Sequence, residues 1–313
     1  MRELRDRVVA EVAKVVVGQD HVVDVLLAAT TVGGHVLLEG VPGVAKTLLA
    51  NAFARALGVD FRRVQFTPDM LPSDLTGTMT LRTTANGTEL AFRPGPVFTN
   101  LVLADEINRT PPKTQSALLE AMQERQVTVD GVGHQLPNPF LVVATQNPIE
   151  YEGTYPLPEA QLDRFLAKVD VGYPSGPEEV AMLRLLHRGV APATLTDVRA
   201  VVSAEELRDA ADRVDAVTVS DDVLNYVAAV VRRTREVPSV ALGASPRASV
   251  HLLAASKAAA CMTDRAYVVP DDVQAVARAV LRHRVLIRPE AELERYTADD
   301  AIASALASVP VPR

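Results

Sequence analysis

The stretch HVLLEGVPGVAKTLLANAFARALG, residues 35–58, decides the fold. It opens on an apolar run without polar alternation, the pattern of a parallel strand covered on both faces. It closes on TLLANAFARALG (47–58), with apolar residues at helical spacing. Between the two stands GVPGVAKT, Gly40–Thr47, where Gly40, Pro42 and Gly43 let backbone amides converge on phosphate oxygens. Lys46 would neutralise β- and γ-phosphates as a point charge, and the Thr47 hydroxyl would ligate Mg²⁺. Val44, Ala45 and Leu48 complete the segment that wraps the phosphates. Ala45 stands where the general pattern has glycine.

Outward from that loop the same rhythm continues. NLVLADE (100–106) is a buried strand ending in two acids: Asp105 can hold a Mg²⁺ shell, and Glu106 can polarise water for attack on a γ-phosphate. FLVVATQN (140–147) is a further core strand, and a carboxamide at its tip, Asn147, can bridge water and γ-phosphate. The other reading of Asn147, before Pro148, is a turn residue. With the strand FRRVQF (61–66) and the helix KTQSALLEAMQER (113–125), these runs predict a doubly wound α/β sheet. Asn86-Gly87 and Asp130-Gly131 each favour a type I′ turn and predict two hairpins inserted between core strands, either edge decoration or elements that touch another molecule.

After YPSGP (173–177) helical patterns dominate: PEEVAMLRLLH, SAEELRDAADRV, SDDVLNYVAAVVRRT, SPRASVHLLAASKAAA and PDDVQAVARAVLRHR. Several open on Ser or Pro followed by acids, a helix start. A length of 313 residues, at roughly 150 per domain, allows two domains.

Composition removes several classes of partner. Lys plus Arg number 32 against 39 Asp plus Glu, a net charge of −7, so no global positive field gathers nucleic acid or anionic lipid. The arginine clusters at 232–235 and 282–288 lack interleaved aromatics and read as solvated faces or subunit contacts. The six histidines show no metal-ligand spacing, so Mg²⁺ with nucleotide is the expected metal. The lone Cys261 reads as a core packer in a reducing compartment. The first residues lack the apolar stretch of a signal peptide, and no run approaches a membrane span of about 18 residues. The expected location is cytoplasmic.

In these residues the chain resembles the AAA+ ATPases and, more narrowly, the MoxR family of their helix-2-insert branch. The likeness runs nearly end to end: VVGQ (16–19), GVPGVAKT, FTPDMLPSDLTG (66–77), FRPGPVF (92–98), LADEINR (103–109), ALLEAMQE (117–124), ATQNP (144–148), LPEAQLDRF (157–165) and GASPR (243–247). It implies a P-loop core with a parallel sheet over residues 1–173, hairpin insertions near 75–95 and 125–140, and a small all-α lid over 174–313. Ala45 looks like a normal variant in this family. Val17, Gly18 and Gln19 would lie by the adenine, although VVVGQ also reads as a helix-to-helix turn. Arg164 resembles the arginine finger that reaches a neighbouring subunit's γ-phosphate, and Arg247 resembles sensor 2. Either could instead be a surface ion pair. Arg109 could face an interface or pair with a nearby acid.

The resemblance further implies Mg²⁺-dependent ATP hydrolysis by a self-associated ring, expected to be a hexamer. Such rings remodel or mature a client protein, often with a von Willebrand factor A domain partner. The alternative within the branch is the ATPase subunit of a magnesium-chelatase-like complex. A DNA-associated motor or transcription regulator is the alternative of another class, opposed by the net negative charge and the lack of an appended DNA-binding segment.

Overall fold

A computed structural model describes residues 1–84, 87–147, 154–187 and 195–312. Two helices come first, α1 (Arg2–Val12) and α2 (Asp20–Val32). The core then alternates β1 (Val36–Glu39), α3 (Lys46–Ala56), β2 (Phe61–Gln65), α4 (Pro72–Thr76), the hairpin β3 (Gly77–Thr84) and β4 (Gly87–Pro94), and β5 (Leu101–Asp105). It continues with α5 (Pro112–Glu124), a second hairpin of β6 (Gln126–Val129) and β7 (Val132–Gln135), β8 (Leu141–Gln146), α6 (Glu159–Leu162) and β9 (Ala167–Asp170).

Five strands form one parallel sheet in the order β2-β5-β8-β1-β9. Because side chains alternate across a strand, each central strand feeds two cores. Val36, Leu38, Leu101, Leu103, Leu141 and Val143 pack with α1, α2 and α3, while Leu37, Val102, Ala104, Val142 and Ala144 pack with α5 and Phe66. Both faces are dry, which is why the sequence of these strands does not alternate. After β1 the chain crosses over β8 and β5 to reach β2 at the far edge, so the order reverses beside β1. Ligands of open α/β sheets sit at such a switch point, outside the carboxyl ends of the strands.

Both hairpins project from this core. In the second, Val129 pairs with Val132, and Asp130 and Gly131 take φ of +48° and +79°, the left-handed pair of a type I′ turn. In the first, Gly87 pairs with Thr84 and is already the opening residue of β4. The Asn86 half of that expected turn lies outside the described residues. At its root, a side chain on Gly77 or Gly95 would meet the opposite backbone, so both positions need glycine.

The remainder is helical: α7 (Gly176–His187), α8 (Ala204–Asp215), α9 (Asp221–Thr234), then a short strand β10 (Val240–Leu242), α10 (Pro246–Met262) and α11 (Pro270–Leu281). A strand β11 (Leu286–Ile287), α12 (Pro289–Leu293) and α13 (Ala298–Ser308) close it. β10 and β11 pair as a small antiparallel ribbon among the lid helices. Leu207 and Ala210 of α8 pack into the same cluster as α1–α3, whereas Val214 joins the separate lid core of α9, α10, α11 and α13. Cys261 is buried in that lid core. Among the described residues no helix is long and apolar enough to cross a membrane.

Candidate nucleotide site

The loop after β1 takes its shape from three backbone positions. Gly40 lies so close to the chain after β9 that a Cβ would stand 2.3 Å from the Val171 carbonyl oxygen. Gly43 has φ of +88° with open space where a side chain would be, and Ala45 has φ of +60° as the residue before α3. Val44 is buried against the core, while Pro42, Gly43 and Ala45 are exposed, so the loop presents backbone to solvent. The amino terminus of α3, which has no side-chain cap and carries Lys46, Thr47 and Leu48 in its first turn, completes an anion cradle. Lys46 Nζ folds back onto the Gly40 carbonyl and lies 3.5 Å from that of Val41.

β5 delivers the acids to the same edge. The Thr47 hydroxyl stands 3.3 Å from Asp105 Oδ2, two hard oxygens at a separation that one octahedral Mg²⁺ could share. The Thr145 hydroxyl donates to Asp105 Oδ1 at 2.5 Å, and Arg63 Nη2 reaches Oδ2 at 2.8 Å. Glu106 sits one residue past the strand with φ of +58°, a left-handed conformation costly for a non-glycine residue and of the kind that clusters at functional sites. Its carboxylate accepts from Gln65 Nε2 at 2.6 Å and pairs with Arg109 at 2.9 Å. Arg109 therefore pairs with a nearby acid. Asn147 is buried just beyond β8, next to Gln146, whose carbonyl accepts the Gly40 N–H at 3.4 Å. The carboxyl ends of β1, β5 and β8 thus bring Lys46, Thr47, Asp105, Glu106 and Asn147 to one rim.

The stretch Val17–Gln19 links α1 to α2, so it is a helix-to-helix connection. Val16 shares a buried cluster with Val44 of the loop, Gly18 has φ of +77°, and the Glu178 carboxylate at the start of α7 stands against it. Gln19 is 8% exposed, and its Oε1 has no hydrogen-bond partner among the described residues. A buried acceptor of that kind suits an exocyclic amino group.

Arg164 and Arg247 lie elsewhere. Arg164 comes three residues before β9, and Ala167 of β9 pairs with Val36 at the start of β1. It therefore stands at the amino end of the sheet, separated from Gly40 by the whole length of β1, about 10 Å or more. Arg247, in the first turn of α10, joins it: both line a cleft of about 260 Å³ with Arg125, Gln123, His35 and His251. His251 is held neutral, its pKa pushed down to about 4 by burial and by the Arg284 guanidinium. A larger groove, about 710 Å³, runs between α1, α2, β9, α10 and α11, and no residue of the phosphate loop lines it.

Arg63, Gln65 and Thr145, which bond to Asp105 or Glu106, are residues of the candidate site that the sequence reading missed. Arg63 and Gln65 share a face of the edge strand β2 at a two-residue spacing, and Gln65 is in register with Asp105. That spacing was the available signal, but only the strand order tells which acids it meets.

A phosphate cradle beside two strand-end acids, on a five-stranded parallel sheet followed by a helical lid, defines a P-loop ATPase of the AAA+ class. Comparison with known proteins agrees: the family described as "ATPase family associated with various cellular activities (AAA)" matches residues 35–167, and "AAA lid domain" matches residues 232–305. The uncharacterized protein YeaC of Bacillus subtilis is 48% identical over all of this chain and 96% of its own length. Chaperone MoxR1 of Mycobacterium tuberculosis is 45% identical over 98% of this chain and 82% of its own. The crystal structure of a candidate ATPase from Cytophaga hutchinsonii superposes with a TM-score of 0.90 at 42% identity, covering 100% of this chain and 96% of that one. The chain belongs to the MoxR family of AAA+ ATPases.

Proposed function

We propose that this ATPase works as a ring whose hydrolytic sites form between adjacent copies. Lys46 and the loop amides bind the β- and γ-phosphates, Asn147 orients the attacking water, and Glu106 takes its proton. Thr47 and Asp105 would hold Mg²⁺, which supplies charge neutralisation between the phosphates when bound. Val17, Gly18 and Gln19 receive the adenine. Arg164 and Arg247 of the neighbouring copy complete the γ-phosphate site. The observation that carries this reading is the position of both arginines at the amino end of the sheet, opposite the carboxyl end that holds their own loop. Side chains there cannot reach phosphates held by their own chain, whereas a head-to-tail ring juxtaposes the two ends.

Use of hydrolysis to remodel or mature a client is the output best supported by the similarity to a protein named a chaperone, and on the MoxR resemblance the ring is a cytoplasmic hexamer. The MoxR resemblance supports a von Willebrand factor A domain partner. Arg164→Ala is expected to keep Mg-ATP affinity within threefold while lowering kcat by about 10³-fold or more, the scale of an arginine finger. Wild-type kcat in Arg164→Ala would remove the finger role. For the output, Glu106→Gln protein held in ATP should capture a von Willebrand factor A domain protein from native lysate. Capture of chelatase subunits or DNA-bound proteins instead would overturn the chaperone reading while leaving the ATPase intact.

A further inference from the structure

Where the lid meets the edge that carries Arg164, one arginine holds the contact. Arg284, three residues beyond α11 and 6% exposed, spends its donors on the segment 163–166. Its Nε donates to Asp163 Oδ1 at 2.7 Å. Its Nη2 donates to the Asp163 carbonyl at 3.0 Å and the Phe165 carbonyl at 2.5 Å, and lies 2.7 Å from His251 Nδ1. Its Nη1 reaches the Leu166 carbonyl at 3.3 Å and also the Val280 carbonyl. The Asp163 carboxylate is in turn a hub for the lid. The Ser245 hydroxyl, before α10, donates to both its oxygens at 2.9 and 2.8 Å, and Arg247 Nη1 stands 3.8 Å away.

A buried ion pair is weak evidence for stability, because desolvation consumes the Coulombic gain. Its strength is geometry: a planar guanidinium with five fixed donors can set the direction of several acceptors at once, which the single point of a lysine cannot. Here the acceptors flank Arg164 on both sides in sequence, and the same carboxylate holds the turn that carries Arg247. We infer that Asp163 and Arg284 are positioning residues for hydrolysis: they lock the backbone around Arg164 and seat the lid's α10 against it, so that both arginines meet the neighbouring copy's phosphates as one unit. Lid attitude is thereby coupled to finger geometry in the same chain. This inference rests on the proposal that the two arginines act in trans.

The test is steady-state ATP hydrolysis by Asp163→Asn, alone and mixed with Glu106→Gln protein. Alone, Asp163→Asn is expected to lose at least tenfold in kcat with KM for ATP within twofold, because its own nucleotide loop is untouched. In a one-to-one mixture, random pairing sets an intact pocket against an intact arginine edge at about a quarter of interfaces, so turnover recovers. A merely structural role would give no recovery. If Asp163→Asn fails to assemble, Ser245→Ala, which leaves the Arg284 pair in place, is expected to lower kcat severalfold at constant KM. Wild-type kcat in Asp163→Asn, or no recovery in confirmed mixed rings, overturns the inference. If Arg164→Ala also keeps wild-type kcat, the trans reading falls with it. If Arg164→Ala is inactive while Asp163→Asn is not, the inference alone falls.

Discussion

Ala45 and Glu106 hold left-handed backbone, at φ of +60° and +58°, without the freedom of glycine. For an L-residue that conformation costs about 1–2 kcal/mol. Ala45→Gly is therefore expected to raise stability by about 1 kcal/mol in denaturant unfolding while keeping Mg-ATP affinity, whereas lost affinity would make the methyl part of the cradle. Lys46→Ala removes a charge-assisted contact of about 1.5–3 kcal/mol, so a binding titration should read a loss of roughly 10- to 100-fold. Unchanged affinity would take Lys46 out of the site. His251 gives a pH signature. Its folded pKa is near 4 against 6.5 when unfolded, so between those values the unfolded chain binds more protons. His251 contributes a loss of up to about 3 kcal/mol as pH drops from about 6.5 to 4, and His251→Gln should reduce the slope without abolishing it, because burial also holds His35 and His283 neutral. The site was legible at this scale wherever chemistry is contiguous, as in GVPGVAKT and Asp105-Glu106. Thr145 and Arg63 were not, because only sheet register brings them to Asp105.

At the scale of elements, strands buried on both faces and Pro- or Ser-started helices were readable from local pattern, and the structure forms β1, β5, β8 and α7–α11 at those stretches. The short edge strand β9 carried no comparable signal: with four residues, Lys168 and Asp170 among them, it reads as a strand only once β1 pairs with it. Nor does helical periodicity say which core a helix faces, and α8 divides its apolar face between two. The first hairpin depends on a close backbone crossing at its root. A Cβ on Gly95 would stand 2.1 Å from the Leu75 carbonyl oxygen and 2.5 Å from Gly77 N, both backbone atoms that cannot swing away. Gly95→Ala is expected to cost about 1–3 kcal/mol in chemical unfolding. An unchanged midpoint would mean that the hairpin root yields freely.

Across the whole molecule, the sequence named Arg164 and Arg247 but not their meeting, since 82 residues and a domain contact lie between the positions 164 and 247. The sheet sets them at one end, with the phosphate loop, Asp105, Glu106 and Asn147 at the other, the separation from which the trans proposal starts. The measurement that tests this most directly mixes Arg164→Ala and Glu106→Gln proteins, each inactive alone, and follows phosphate release as their ratio is varied. The account predicts that turnover peaks near equal proportions, where the intact pocket of one variant meets the intact edge of the other. Activity absent at every ratio in confirmed mixed rings would contradict it, as would an Arg164→Ala protein that hydrolyses ATP at the wild-type rate by itself.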